Sequence, residues 1–402
     1  PRHCALQHPF RQAASREVPI RTGKAIIAAM DHSPRARRGL TNVGQIDDFD
    51  EIIDVRSPSE FALDHLPGAI SCPVLSDAER AEIGTLYKQV SPFAARRAGA
   101  AIVARRIAEY LTTRFSERDK SWRPLVYCWR GGKRSGALVL VLRQVGWDAA
   151  QLEGGYKAFR RRVIADLDRL CRSLHFRVVS GPTGSGKSRL LSALGAQGEQ
   201  VLDLEALAAH KGSVLGALPG TAQPSQKAFE TAIWNQIRRF DPARPVWVEA
   251  ESRRIGRLTV PDPLITRYRD APSVLIEASM AARIEFLLDD YAHFLADTEL
   301  LVARLDYLRG IHANETIDVW KSMARTGALR AMLAELLSRH YDPLYRRASR
   351  VRRELAEGVV PYATEDLSPP GIARLAERIR ADCSSGRTAG CASSGRSGRD
   401  RP

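Results

Sequence analysis

Phe176-Arg177-Val178-Val179-Ser180-Gly181-Pro182-Thr183-Gly184-Ser185-Gly186-Lys187-Ser188 joins a short apolar run, a glycine-rich octet and the start of a helix-like segment, Arg189 to Leu194. The octet matches G-x-x-x-x-G-K-[ST] in full, and a strand before and a helix after are the context that motif needs. Its glycines let backbone N–H groups approach phosphate oxygens. Lys187 supplies a point charge for the terminal phosphate, and the Ser188 hydroxyl offers a ligand to magnesium. Working outward, strand-like runs recur at Glu51–Val55, Ala69–Val74, Leu125–Cys128, Ala150–Glu153, Gln200–Leu204, Val246–Glu249 and Ser273–Glu277, alternating with helix-like stretches. That alternation argues for parallel sheets, so the fold class is α/β. After about residue 278 the pattern reads as wholly helical, through Met280–Leu288, Leu300–Leu308 and Thr316–Leu337.

A second anion device lies upstream. Cys128-Trp129-Arg130-Gly131-Gly132-Lys133-Arg134-Ser135-Gly136 follows the apolar Pro124–Tyr127 and precedes the helix-like Ala137–Leu142. A cysteine at a strand end, followed by free amides, a helix start and three cations, sits where thiolate is favoured over thiol. Cys128 is the candidate nucleophile, and Trp129, Gly131, Gly132, Lys133 and Ser135 form its anion loop with Arg130 and Arg134.

The bulk composition narrows the partners. At 402 residues and 44% apolar, the chain can hold two or three cores. Its formal charge of +15, carried mostly by arginine, suits recognition of a polyanion, with nucleic acid favoured over anionic lipid. No run approaches the roughly 18 apolar residues of a membrane span, so a membrane partner is not expected. Six cysteines, Cys4, Cys72, Cys128, Cys171, Cys383 and Cys391, form no CxxC pair and no spacing with histidine that suits zinc. This points to a reducing cytoplasm, with Cys72 and Cys171 read as packing residues. The expected division is a basic, disordered arm at 1–41, a first domain at 42–165, a phosphate-loop domain with a helical C-terminal region at 166–380, and a disordered Ser/Gly/Arg tail at 381–402. Residues 1–29 read either as a native arm or as sequence upstream of a start at Met30.

Ile52-Ile53-Asp54-Val55-Arg56-Ser57-Pro58-Ser59-Glu60-Phe61, His65-Leu66-Pro67-Gly68-Ala69-Ile70, the Cys128 loop and Leu152-Glu153-Gly154-Gly155-Tyr156 together resemble the rhodanese family over about residues 42–165. The resemblance implies an α/β sheet whose catalytic cysteine carries a chalcogen, with Asp54 and Arg56 placed to brace its loop by charge-assisted bonds. Ordinary sulfurtransferases of that family usually place four residues between the cysteine and the closing arginine, and here five intervene, Trp129 to Lys133. The wider loop also fits cysteine phosphatases, so attack on phosphorus and uptake of a chalcogen from a phosphate-bearing donor both stay open at this point.

Further along stand Val201-Leu202-Asp203-Leu204-Glu205, Gln223-Pro224-Ser225-Gln226-Lys227 and Val246-Trp247-Val248-Glu249-Ala250-Glu251-Ser252-Arg253. Their order behind a rhodanese-like half resembles the bacterial tRNA 2-selenouridine synthase family, over about residues 42–350. The resemblance implies that wobble 2-thiouridine, in the tRNA anticodon, is S-geranylated from geranyl diphosphate and then converted to 2-selenouridine with selenophosphate. Cys128 would carry the selenium, and a selenophosphate-supplying enzyme becomes a partner. No tightly bound cofactor is implied, and magnesium on Ser188 stays optional. The phosphate loop then has two candidate ligands, a nucleoside triphosphate and the prenyl diphosphate, of which the second is preferred. Glu249 stands where such proteins often put a metal-directing acid, Glu251, Ser252 and Arg253 follow it, and Asp203 and Glu205 are weaker candidates. RNA contact is expected from arginines along Tyr156–Arg177, from Arg253, Arg254 and Arg257, and from Arg325, Arg330, Arg346 and Arg347; of Trp129, Tyr156 and Trp320, which could stack a base, two read better as core packing. Two alternatives are a sulfurtransferase fused to an NTPase that thiolates RNA, and a non-catalytic RNA-binding regulator.

Overall fold

The computed structural model describes residues 39–385, apart from 214–215, 217–219, 293–296 and 354–358. The first sheet contains β1 (Leu40–Thr41), β2 (Glu51–Asp54), β3 (Ala69–Ser71), β4 (Pro124–Tyr127) and β5 (Ala150–Leu152) in the order β1-β5-β4-β2-β3. The second contains β6 (Phe176–Ser180), β7 (Gln200–Leu202), β8 (Val246–Glu249), β11 (Ser273–Glu277) and β12 (Val359–Ala363) in the order β12-β11-β6-β8-β7. All pairings within both sheets are parallel. Between β8 and β11 runs a small antiparallel hairpin, β9 (Arg254–Ile255) and β10 (Leu258–Thr259). Central strands are apolar without alternation because helices cover both faces: Leu125, Val126 and Tyr127 of β4 are all fully buried.

Parallel strands place their carboxyl ends on one edge, and ligands in such sheets gather there, outside the strand ends. Cys128 follows β4 directly, the phosphate loop follows β6, and Glu249 closes β8. The helices that follow begin at the two loops: α4 (Lys133–Val145) after the cysteine and α6 (Lys187–Ala196) after the glycines.

One helix joins the halves. The run Gly155–Ser173, α5, is amphipathic and buries Tyr156, Phe159, Val163, Leu167 and Cys171 in a core that extends from Tyr127 and Leu152 of the first sheet to Phe176 and Val248 of the second. Arg160, on the same helix, donates to Thr231 Oγ1 (2.9 Å) and Lys227 O (3.2 Å) and pairs with Glu230, while Asp64 accepts from Tyr156 Oη (2.7 Å) and Thr231 Oγ1 (3.1 Å). The boundary drawn at 165/166 therefore falls inside a helix that both cores use.

Three further readings differ from the structure. Leu40–Thr41, assigned to the arm, pairs with Gln151–Leu152, because backbone bonds at a sheet edge need little side-chain pattern. The segment after 278 is not wholly helical: β12 pairs along all of β11, and Pro361 is tolerated there because β12 is an edge strand. The tail read as beginning at 381 starts inside the helix Pro369–Ser384, whose Cys383 is buried; residues 1–38 and 386–402 lie outside the described residues. The helical reading across Thr316–Leu337 resolves into Asn314–Arg325 and Leu329–Leu336, separated at Gly327, whose φ of +73° ends the first helix.

Candidate functional site

The cysteine loop is built around its sulfur. Gly132 N–H donates to Cys128 Sγ at 3.2 Å, and the Ser135 hydroxyl donates to the same sulfur at 3.2 Å. Burial would push the Cys128 thiol up, but the Ser135 hydroxyl, the Ser135 and Gly132 amides and the charge of Arg134 outweigh it and hold the thiol below its ordinary value. Gln151, on β5, fixes the donors in turn: its side-chain amide donates to Ser135 Oγ (2.8 Å) and Gly132 O (2.9 Å). Sequence reasoning missed Gln151, because a glutamine in a short strand carries no signal of its own.

The loop is closed from below by the start of α5. Tyr156 N–H donates to Cys128 O (2.9 Å) and Lys157 N–H to Trp129 O (3.0 Å). Gly155 has φ +55°, and a Cβ there would lie 2.2 Å from Cys128 O and 2.4 Å from Gly131 N. Only glycine permits that approach.

The cations divide by role. Arg134 pairs with Glu60 at 3.1 Å, whereas Arg130 and Lys133 are exposed and pair with no acid among the described residues. Asp54 and Arg56, expected to brace the loop, are 0% and 1% exposed. Arg56 bonds the Asp54 carboxylate (2.6 and 2.9 Å) and Asp64 O (2.6 Å), and lies 4.0 Å over the Tyr156 ring. Their connection to the loop runs through Tyr156, whose ring lies under Arg56 and whose backbone amide donates to Cys128 O. Trp129 is half-buried against Tyr156 at 5.4 Å, while Tyr156 and Trp320 are core residues.

The phosphate loop opens on a cavity of about 570 Å³, lined by Gly181, Thr183, Gly184, Gly186, Lys187, Ser188, Glu249, Glu251 and Ser252. Ser185 is fully buried, and its hydroxyl has no hydrogen-bond partner among the described residues. Lys187 Nζ lies 3.4 Å from Glu249 Oε1; burial would lower its pKa, but Glu249, Glu205 and Glu251 more than offset this and raise it. Ser188 Oγ lies 2.9 Å from Glu205 Oε2 and 3.0 Å from Glu249 Oε2. Carboxylate oxygens of Glu205, Glu249 and Glu251 come within 4.8 Å of one another. Burial and mutual repulsion push Glu205 up to about 9 and Glu251 up to about 7. Three hard carboxylates beside a hydroxyl fit a divalent cation, whose charge would relieve that repulsion.

Arg253 is not brought to the cavity: it pairs with Asp262 on the surface at 2.6 Å. Asp203 serves as the N-cap of the short helix Leu204–Ala208, accepting from Ala206 N–H at 2.9 Å. Glu205, the weaker candidate in the same stretch, is the one that enters. The opposite wall comes from elements that sequence reading did not connect with the loop: Lys211 and Ser213, Tyr291, and His340, Tyr341 and Tyr345. Arg283 ties these helices to the phosphate loop, donating to Thr183 O (2.8 Å) and pairing with Asp342 (2.6 Å). Beside the cavity lies a narrow apolar crevice of about 30 Å³ formed by Leu287, Leu301, Met332, Leu333, Leu336 and Leu337. Thr183, Ser213, Leu287, Tyr291 and Tyr341 line both spaces, so the two are neighbours with a shared wall.

Many arginines expected on RNA are engaged within the chain. Arg162 and Arg169 pair with Asp166, Arg172 with Asp168, Arg325 with Glu299 and Arg330 with Glu285, and Arg257 bonds backbone at Gln223.

Comparison with known proteins agrees with both halves. The rhodanese-like domain matches residues 40–162, and the tRNA 2-selenouridine synthase AAA domain matches residues 174–315. A tRNA 2-selenouridine synthase of Aeromonas salmonicida is 34% identical over 323 residues, covering 73% of this chain and 86% of that one. The chain belongs to the tRNA 2-selenouridine synthase family. Another member, from Alcanivorax borkumensis, is 32% identical over 73% of this chain and 88% of its own, and one from Nitrosomonas europaea is 36% identical over 60% of this chain and 63% of its own. It is thus a member of a family of tRNA-modifying selenium transferases, with a rhodanese half and a phosphate-loop half. No helix among the described residues is long and apolar enough to cross a membrane.

Proposed function

We propose that the chain converts wobble 2-thiouridine of tRNA to 2-selenouridine in two steps, S-geranylation from geranyl diphosphate in the phosphate-loop cavity and selenium transfer from selenophosphate through Cys128. The observation that carries this reading is the apolar crevice adjoining the phosphate cradle, with five lining residues in common. A prenyl diphosphate has that polarity, an anionic head and a hydrocarbon tail, whereas a nucleoside triphosphate would set a polar base and ribose against leucines. The crevice is narrow, so the tail enters as the adaptable Met332 and its leucine neighbours repack around it.

In the first step the thiouridine sulfur attacks the allylic carbon, its bond to diphosphate oxygen breaks, and pyrophosphate departs toward the phosphate-loop amides and Lys187. A divalent cation held by Ser188 and the three glutamates would supply further charge to the departing group. Alkylation turns the sulfur into a leaving group. In the second step the Cys128 thiolate attacks the phosphorus of selenophosphate, and the P–Se bond breaks with its electron pair on selenium. That selenide attacks the ring carbon, and the C–S bond breaks with its pair on geranylthiolate, while water releases phosphate from Cys128. Cys128 suits the role of nucleophile toward the donor because its thiolate is stabilised in a loop whose five intervening residues suit a tetrahedral anion. The exposed Arg130 and Lys133 are available to the donor's phosphate, supplied as selenophosphate by a separate enzyme.

Equilibrium binding of geranyl diphosphate, pyrophosphate and ATP to the full chain tests the carrying observation. At about 0.8 kcal/mol per buried methylene, burying even half of the tail should make geranyl diphosphate bind at least 100-fold tighter than pyrophosphate. ATP binding more tightly than geranyl diphosphate, with no gain from the tail, would return the loop to an NTPase role.

A further inference from the structure

One histidine, His340, lines the phosphate-loop cavity, and a second, His312, lies against it. Leu337–Tyr341 is a single widened, π-type turn between the helices Leu329–Leu336 and Asp342–Arg353. Such turns reset the direction in which side chains point and occur often at functional sites. This one puts His340 in the cavity wall beside Tyr341, and His340 is only 3% exposed. Its Nδ1 lies 3.0 Å from His312 Nε2, so one ring donates to the other. Its Nε2 is buried and has no hydrogen-bond partner among the described residues. A buried imidazole nitrogen left unpaired is costly, and a ligand entering the cavity would satisfy it.

We infer that His340 is the general base of the alkylation step, taking through Nε2 the N3 proton of the thiouracil ring. The chemistry requires such a group. In 2-thiouridine, N3 carries hydrogen and C2 is doubly bonded to sulfur; in the S-alkyl product C2 is doubly bonded to N3 and that hydrogen is gone. The new S–C bond forms, the C–O bond to diphosphate breaks with its electron pair on oxygen, and the N3 proton passes to imidazole. No oxidant or reductant takes part. Glu205 and Glu249 are engaged by Ser188, and Glu249 also faces Lys187, so these carboxylates serve the diphosphate end. His340 adjoins Tyr341, which lines both cavity and crevice, and the allylic carbon must sit where head and tail meet.

His312 sets the tautomer. Where His340 donates Nδ1–H to His312 Nε2, His340 Nε2 is left carrying the lone pair. Burial, and next the neighbouring His312, keep the His340 pKa below its ordinary value, so the ring is neutral and ready to accept at pH 7. The other titratable or charged groups around it are Tyr341 and Tyr345 beyond the turn, Asp290 and Tyr291 at the end of the helix Met280–Asp290, Lys211 paired with Asp290, and Lys187 with Glu205, Glu249 and Glu251 across the cavity.

This inference rests on the prenyl diphosphate reading, and the test separates the two. Initial rates of S-geranyl-2-thiouridine formation are measured from pH 5 to 9 with the full chain, thiolated tRNA and saturating geranyl diphosphate, for the unaltered protein and for H340N and H340Q. The unaltered protein should show an acid limb with a midpoint below about 6.5, the free imidazole value. Both variants should lose that limb and fall about 100- to 1,000-fold in kcat, with KM for geranyl diphosphate within threefold. Both should still selenate separately prepared S-geranyl tRNA, which depends on Cys128. Variants that keep kcat and the acid limb, that change KM alone, or that lose selenation as well would overturn the role of His340 and leave the prenyl reading standing. An unaltered protein that forms no S-geranyl product at any pH would overturn that reading first.

Discussion

At the residue scale, the reactivity of Cys128 depends on what surrounds one sulfur. Burial alone raises a thiol pKa, as it does for Cys72 and Cys171, held at about 11 and about 12. Cys128 is just as buried in the fold, yet its pKa moves down, because the Ser135 hydroxyl, two amides and Arg134 meet the charge. A group whose acid form is disfavoured titrates at lower pH, so the alkylation rate of Cys128 should reach half its maximum below the pH typical of a free thiol. Removing the hydroxyl in S135A should shift that midpoint upward, with Cys128 labelling followed by mass spectrometry across pH. An unchanged midpoint would assign the low pKa to the loop amides alone. Much of this was legible in sequence: a cysteine at a strand end with glycines and cations after it declares an anion loop. Gln151 was not, since its role exists only when β5 lies beside β4.

At the element scale, the two loops are held by helices that begin under them. The start of α5 passes so close beneath the cysteine loop that the loop's backbone leaves no room for a side chain at Gly155. G155A should therefore cost on the order of 2–4 kcal/mol of stability by combining a strained φ with a backbone clash. Chemical denaturation measures that loss, and thiol labelling should fall together with it. A variant with unaltered midpoint and labelling would mean that the loop tolerates a wider opening. The strand–loop–helix units were readable because glycine spacing and apolar runs are local signals. Two later elements were not: β12 hides behind a proline, and His340 reaches the cavity wall from a π-type turn more than 150 residues after Lys187 in sequence. Such long-range placement leaves no periodicity to read. Glu205 against Asp203 shows the same limit, since two acids two residues apart differ only in which one the short helix turns inward.

At the scale of the whole molecule, two anion sites of different chemistry are fixed to one another through α5, whose buried face belongs to both cores and whose Arg160 ties Thr231 and Glu230 to the first half. A shared helix suits a substrate that must visit both sites, because an RNA held by one half is kept within reach of the other. The rhodanese-like and phosphate-loop halves were legible as separate motifs. Their junction was not, because the basic stretch read as a boundary is the helix that removes one. The central claim is that the two sites act in sequence on a single nucleoside, alkylation before selenium transfer. Its most direct test is nucleoside mass spectrometry of thiolated tRNA incubated with geranyl diphosphate and selenophosphate and either C128S or K187A. The account predicts that C128S accumulates S-geranyl-2-thiouridine without 2-selenouridine, and that K187A loses S-geranyl product at least 100-fold yet selenates tRNA already geranylated. Formation of 2-selenouridine by C128S, or undiminished geranylation by K187A, would contradict it.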